Sequence, residues 1–106
     1  LAQGSTAHFY LTQALSEIDT AIRLANSAHR QLLRGRLCLA LKAFDDADAA
    51  FTQCALLGME DDDLAAYRAE LAFQTRRYHA MQEQLARLSP SAAQHPVLHP
   101  LMEYWR

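Results

Sequence analysis

The chain has 106 residues, of which 51% are apolar, and a formal net charge of −2. This length supports one domain with a single core, and the apolar content excludes an intrinsically disordered chain. The near balance of charges excludes both the basic footprint of a nucleic-acid-binding protein and a strongly acidic tail. No apolar run approaches the roughly 18 residues of a membrane-spanning helix, so we expect no direct membrane insertion.

The composition favours helices over strands. Ala and Leu dominate, whereas Val occurs once and Ile twice, and strands are rich in β-branched residues. Three glycines and three prolines leave few tight turns from which a β fold could be built. We therefore predict an all-α protein.

The first predicted helix covers residues 7–25. Its apolar residues recur three and four positions apart, as they do on one stripe of an amphipathic helix. Ser5 and Thr6 are candidate N-caps, and the pair Asn26-Ser27 breaks the pattern and can cap the next helix. The predicted stripe consists of Phe9, Leu11, Ala14, Leu15, Ile18, Ala21, Ile22 and Ala25.

Two helical hairpins are predicted to follow, over residues 28–58 and 62–90. In the first, a helix over 28–41 precedes one that begins near Asp45 or Asp46, whose carboxylates suit the positive end of a helix. Gly58 is a favourable C-terminal cap for that helix. Loops of two to five residues force neighbouring helices to be antiparallel.

The second hairpin has its own start and stop signals. The acidic run 60–63 opens its first helix, which ends near Arg76 and Arg77, so acids and arginines both complement the helix dipole. Its second helix covers about 78–88 and ends before Pro90. The same reasoning predicts an antiparallel pair.

The two hairpins repeat at an offset of 34 residues. Aligned pairs are Arg34/Arg68, Gly35/Ala69, Leu37/Leu71, Phe44/Tyr78, Phe51/Leu85 and Cys54/Leu88. The first helix joins at an offset of 33, through Leu11/Phe44, Ala14/Ala47, Ile18/Phe51 and Ala21/Cys54. Gly35 then lets two helices approach closely, and we predict that Phe51 is buried between the two helices of the central hairpin.

A 34-residue helix-turn-helix period resembles the tetratricopeptide repeat family. The central unit carries the resemblance: Gly35, Phe44, Ala47, Phe51 and Cys54 stand where the family has small, aromatic, small, aromatic and small residues. The resemblance covers about residues 7–90. The chain departs from the family pattern at Gln31, Arg34, Ala65 and Arg68, which stand where the family usually has Trp and Leu.

The resemblance implies one domain over residues 1–106, built from antiparallel hairpins stacked as a short right-handed solenoid. Residues 7–25 would be a partial repeat, and 28–58 and 62–90 would be full repeats. Residues 96–106 would form a capping helix at the open end of the stack.

In the family, the first helices of the repeats line a groove that holds an extended peptide or a partner helix. Carried over to this chain, the groove residues are His29, Leu32, Arg36, Leu39, Asp63, Ala66, Glu70 and Phe73. The offset also aligns Arg36 with Glu70 and His29 with Asp63, which predicts lateral ion pairs. One interpretation is that these are solvated surface ion pairs, each of which stabilises the fold by ~0–1 kcal/mol. The other is that charge not neutralised by such pairs, together with the Leu39/Phe73 ridge, recognises a partner.

No catalytic, cofactor or metal site is predicted. Cys38 and Cys54 are too far apart in sequence for a zinc knuckle and fall on inward positions. His95 and His99 are spaced as a helical metal pair would be, but a proline follows each of them and interrupts that geometry. There is no phosphate loop or nucleophile motif, and helix capping explains the acidic run 60–63.

The C-terminal segment is the richest apolar stretch outside the repeats. Residues 91–95 are predicted as a linker, and Pro96 can start a short last helix. Its apolar residues are Val97, Leu98, Leu101, Met102, Tyr104 and Trp105. We expect a capping helix; the alternative is an interface, because exposed aromatic residues form binding hot spots.

Together these patterns predict a non-catalytic module, an adaptor, scaffold or chaperone-like protein, whose partner is another protein or a peptide. The alternative is an oligomerisation or structural domain of a larger protein, which would form homo-oligomers through its apolar ends. The chain begins without Met or a signal pattern and is interpreted as an excised domain or processed product. Arginine outnumbers lysine strongly and Asn26 is the single Asn, a bias that indicates a GC-rich bacterial genome.

Overall fold

The computed structural model describes residues 2–88 and 95–96, with side chains from residue 6 onward. This part of the chain contains five helices and no strand, which confirms the predicted all-α class. The helices are α1 (Ala2–Leu24), α2 (Ala28–Ala40), α3 (Phe44–Leu56), α4 (Asp62–Gln74) and α5 (Tyr78–Ala86). None of these five is long and apolar enough to cross a membrane.

The chain divides into two compact units, Leu1–Met59 and Glu60–Arg106. The first contains α1, α2 and α3, with α2 packed against both of the others. The second contains α4 packed against α5. Each unit therefore includes one of the two predicted hairpins.

The first helix of each hairpin begins at a side-chain cap. Ser27 accepts a hydrogen bond from the Arg30 backbone N–H at 3.2 Å, as predicted for the start of α2. Asp61 accepts one from the Leu64 N–H at 3.1 Å at the start of α4. The two caps are 34 residues apart, so the sequence period is present in the local backbone geometry.

The turns within the two hairpins also match at this offset. Lys42 and Arg76 both have left-handed backbone, with φ of 63° and 61°. In each turn the following residue donates its N–H to the carbonyl five positions earlier, at 2.8 Å after α2 and 2.7 Å after α4. This is a Schellman motif, which usually has glycine at the left-handed position.

Gly58 ends α3 as predicted. Its φ is 93°, and the Met59 N–H donates to the Cys54 carbonyl at 3.0 Å in the same motif. A glycine costs little in this conformation because it has no Cβ. Gly58 alone therefore indicates where α3 ends.

The core of the first unit centres on Phe51, whose side chain is completely buried. A Cβ built on Gly35 would lie 2.4 Å from Cε1 of this ring. The close approach of α2 and α3 at Gly35 is thus confirmed, as is the burial of Phe51. The buried residues are Gln31, Gly35, Cys38 and Leu39 on α2 and Ala47, Ala50, Phe51 and Cys54 on α3.

The core of the second unit centres on Met81 of α5, which is completely buried. It clusters with three alanines of α4, and partly buried side chains surround the cluster. The alanines are Ala66, Ala69 and Ala72, and the surrounding residues are Phe73, Ala80, Leu85 and Leu88.

The first helix differs from the prediction in two respects. It begins at Ala2, so Ser5 and Thr6 lie inside it and are not N-caps. Phe9 is 62% exposed, and Ala25 is exposed and lies beyond the end of the helix, so neither belongs to the packed stripe. Phe9 and Ile18 are nine positions apart, and at 100° per residue this puts them about 180° apart around the helix.

Other boundaries shift by a few residues. α3 begins at Phe44, α4 begins at Asp62 inside the acidic run, and α5 ends at Ala86. Capping signals mark a helix end only to within a turn, which accounts for shifts of this size. Residues 89–94 and the predicted capping helix beyond Pro96 lie outside the described residues.

Candidate protein-binding site

Helix α2 is packed on two sides and exposed along one line. Its exposed residues are spaced by four, three and four positions, which aligns them along one face of the helix. They are His29, Leu33, Arg36 and Ala40, and we call them the α2 stripe. Leu33 is 42% exposed and lies between the two polar side chains, so the stripe offers apolar and basic contacts together.

The four predicted groove residues on α2 differ in their exposure to solvent. His29 and Arg36 are exposed, whereas Leu32 is half-buried and Leu39 is only 6% exposed. Leu33 and Ala40 take the outward positions instead. One residue is 100° of rotation in a helix, so the packing of α1 and α3 decides which of two neighbouring leucines faces water.

The predicted groove residues on α4 are less accessible. Asp63 is exposed, but Ala66 is completely buried in the core cluster and contributes no binding surface. Glu70 is half-buried and accepts a hydrogen bond from Gln74 Nε2 at 2.7 Å. Phe73 is also half-buried and makes an edge-to-face ring contact with Tyr78. Asp63 is therefore the most exposed of the four residues predicted on α4.

Asp63 has a partner that the sequence analysis missed. Its Oδ1 lies 2.8 Å from Nε2 of His95, a residue predicted to belong to a linker. The His95 ring also makes an edge-to-face contact with Tyr67, with ring centroids 5.8 Å apart. No local pattern connects residues 32 positions apart. The lateral pairs of His29 with Asp63 and Arg36 with Glu70 stay predictions.

Arg30 connects α2 to the C-terminal end of α1 by hydrogen bonds. Its Nη1 donates to the carbonyls of Ala21 and Ala25, at 2.8 and 2.6 Å. A guanidinium at this position complements the negative C-terminal end of a helix. The arginine therefore serves the packing of α1, and its charge is directed away from the α2 stripe.

Arg34 has a similar role. Its Nε donates to Asp19 Oδ1 on α1 at 2.7 Å, and its Nη1 donates to the Asp46 carbonyl on α3 at 3.3 Å. Burial lowers the pKa of Arg34, but the hydrogen bond and charge of Asp19 outweigh it and raise that pKa above its ordinary value. Arg34 thus connects all three helices of its unit.

The two cysteines are free thiols, completely buried as predicted. The Cys54 thiol donates to the Ala28 carbonyl, with Sγ 3.4 Å from the oxygen. Burial raises the pKa of Cys38, and the nearby positive charge of Arg34 opposes that shift. Within the described residues, no group of three or more His, Cys, Asp and Glu side chains could hold a metal ion; His99 lies outside them.

A shallow concavity lies at the turn between α2 and α3. It is lined by Lys42, Ala43, Phe44, Asp45 and Asp46. Small-molecule sites are usually enclosed enough to bury most of the ligand. This concavity is open to solvent, and we assign no small-molecule site to it.

Comparison with models of known protein families, with curated proteins and with solved structures gave no match. We therefore infer a function from the chain's own residues. Among them, the α2 stripe is the exposed surface with the clearest arrangement, because a helix packed on two sides presents it. A surface of this kind can bind another chain without moving its own backbone.

Proposed function

We propose that this chain is a tetratricopeptide-like helical-repeat module that binds a segment of a partner protein along the α2 stripe, without catalysis. The observation that carries the proposal is the stripe itself, with Leu33 between His29 and Arg36 on a helix packed on both sides. Peptide-binding surfaces combine apolar contacts for affinity with charged contacts for orientation. We expect an apolar side chain of the partner against Leu33.

The repeated hairpin supports the tetratricopeptide-like part of the proposal. Helices α2 and α4 have the same length, the same type of N-cap and the same turn at an offset of 34 residues. Helical-repeat proteins are built from such units stacked on one another. A right-handed solenoid of these hairpins is the arrangement we propose.

Selection of peptides on the immobilised full chain tests the binding function. Random peptides displayed on phage are enriched on the wild type and then measured against Leu33→Asp and a control variant, Gln53→Asp. Gln53 is an exposed residue of α3, so its substitution introduces the same charge away from the stripe. We expect Leu33→Asp to weaken binding at least tenfold, about 1.4 kcal/mol, and Gln53→Asp to leave it unchanged.

Two results would contradict this proposal. The first is a failure to enrich any peptide. The second is enrichment of peptides whose affinity falls equally with both substitutions, since the stripe would then not be the contact surface.

Homo-oligomerisation is a second candidate function, favoured by the N-terminal half of α1. Phe9 and Tyr10 are 62% and 64% exposed and make an edge-to-face ring contact. Because α1 has ten more residues than α2, about 15 Å of it extends beyond that packing partner. Sedimentation equilibrium over a concentration series tests this function: association that Tyr10→Glu abolishes supports it, and a monomer at all concentrations contradicts it.

A further inference from the structure

The His95 side chain contacts α4 in the way that a ligand contacts a binding site. The His95 side chain is only 14% exposed, although Asp63, which it contacts, is 58% exposed. Two different groups hold the ring: Asp63 accepts a hydrogen bond from Nε2 at 2.8 Å, and Tyr67 meets the ring at an interplanar angle of 85°. Asp63 and Tyr67 lie four residues apart, on one face of α4.

This pair of contacts requires a side chain with both an aromatic ring and a hydrogen-bond donor. A lysine could satisfy the Asp63 carboxylate, but it lacks the flat ring that meets Tyr67 edge to face. A phenylalanine could meet Tyr67, but it has no N–H to donate to Asp63. Histidine, tryptophan and tyrosine supply both features, and histidine is the residue that makes the two contacts in this structure.

We infer that Asp63 and Tyr67 form an interaction surface for a histidine-bearing segment, which the chain's own His95 occupies as a displaceable intramolecular ligand. The surface differs from the α2 stripe, so this inference does not depend on the binding function proposed for that stripe. A covalently connected segment acts at a high effective concentration and weakens binding of any competing segment at the same surface. An external partner binds there more tightly once His95 is removed.

The chain's own sequence supplies the probe for the test. A synthetic peptide of residues 91–100, which includes His95, is titrated into the full-length chain and into its His95→Ala variant. Binding is followed by backbone amide shifts of Leu64 and Tyr67 in ¹⁵N spectra. We expect the peptide to bind the His95→Ala variant about tenfold more tightly than the wild type, because the intramolecular competitor is lost.

Matched controls identify the contacts. The double variant His95→Ala/Asp63→Asn should lose the gain in affinity, and so should peptides with Ala, Lys or Phe in place of histidine. Circular dichroism of both variants, compared with the wild type, establishes that α4 remains folded. The inference is overturned if the peptide binds wild type and His95→Ala equally, if the Ala-containing peptide binds as well as the histidine peptide, or if no variant binds any peptide.

Discussion

At the scale of single residues, the central hairpin depends on the absence of one side chain. Helix propensity alone would favour alanine over glycine at position 35 by about 1 kcal/mol, because glycine loses more backbone entropy on folding. A Cβ at this position would, however, lie within 3 Å of three atoms of the Phe51 ring. Phe51 is completely buried, so the ring cannot yield without disturbing its neighbours.

We therefore expect Gly35→Ala to destabilise the protein by about 1–3 kcal/mol, the usual cost of overpacking a core. Chemical denaturation of the wild type, both single variants and the double variant Gly35→Ala/Phe51→Leu measures this cost. The alanine should be tolerated better in the Phe51→Leu background, where the ring is absent. A Gly35→Ala protein as stable as the wild type would show that the helices are further apart.

A second prediction concerns the left-handed residue Lys42, whose φ of 63° is costly for any residue with a Cβ. Lys42→Gly should be more stable than Lys42→Ala by about 1 kcal/mol, since both lose the lysine side chain and only glycine relieves the strain. The comparison with alanine removes the effect of any lysine contact. Thermal or chemical unfolding measures the difference, and the same comparison at Arg76 should agree. Equal stability of the two variants would contradict the left-handed conformation.

The pKa of Cys38 predicts how stability depends on pH. Because burial raises this pKa above its ordinary value of 9.0, the thiol keeps its proton in the native state after the unfolded thiol has begun to ionise. The stabilisation that the protonated Cys38 thiol contributes is fully present below the pKa of the unfolded thiol. It is lost as pH rises through the folded pKa, by at most ~1.4 kcal/mol per pH unit. Unfolding free energies from pH 7.5 to 10 should fall more steeply for the wild type than for Cys38→Ala. Parallel curves would contradict this prediction.

At the scale of helices, two arginines help to join α1 to α2. The apolar side chains described on α1 are at most half-buried, whereas α3 buries four residues against the rest of its unit. Arg30 and Arg34 of α2 reach α1 through carbonyl and carboxylate groups. Such contacts fix orientation more than they add stability. We expect α1 to be the least stable helix of the first unit.

A double-mutant cycle tests the connection between these helices. Asp19→Asn and Arg34→Gln should show a coupling energy of about 0.5–1 kcal/mol, a modest value because the Asp19 side chain is 40% exposed and water screens the pair. The coupling should decrease in 1 M salt. The exposed pair His79 and Glu83 serves as a comparison and should couple more weakly. If the effects of Asp19→Asn and Arg34→Gln on stability are additive, the two side chains do not stabilise the packing of α1 on α2.

At the scale of the whole molecule, the secondary structure makes a spectroscopic prediction. The five described helices account for about two thirds of the 106 residues. Far-UV circular dichroism should therefore be dominated by helix, with the loss of its signal reporting the unfolding of these elements. A strand content near that of an average domain, about a fifth of the residues, would contradict the all-α fold.

The sequence alone determined the helical class, the 34-residue period, the cap at Gly58, the close approach of two helices at Gly35 and the burial of Phe51. The last three depend on interactions within one hairpin, where spacing and residue type specify the geometry. The tertiary structure decided which side of α2 faces water, so Leu33 and Ala40 replaced Leu32 and Leu39 on its surface. A rotation of 100° per residue is too small a difference for an apolar pattern to resolve when a helix is packed on two sides.

The tertiary structure also decided the polar contacts that cross between elements. Arg34 pairs with Asp19 over 15 residues, and His95 pairs with Asp63 over 32. Asp19 and Arg34 lie about equally far from the turn between α1 and α2, so they can meet only when these two helices pack. The separation of His95 from Asp63 corresponds to no helical or hairpin spacing. Such pairs form because the packing of apolar faces first places the backbones side by side. The polar groups that this packing brings within reach then pair, although both carboxylates stay partly exposed to water.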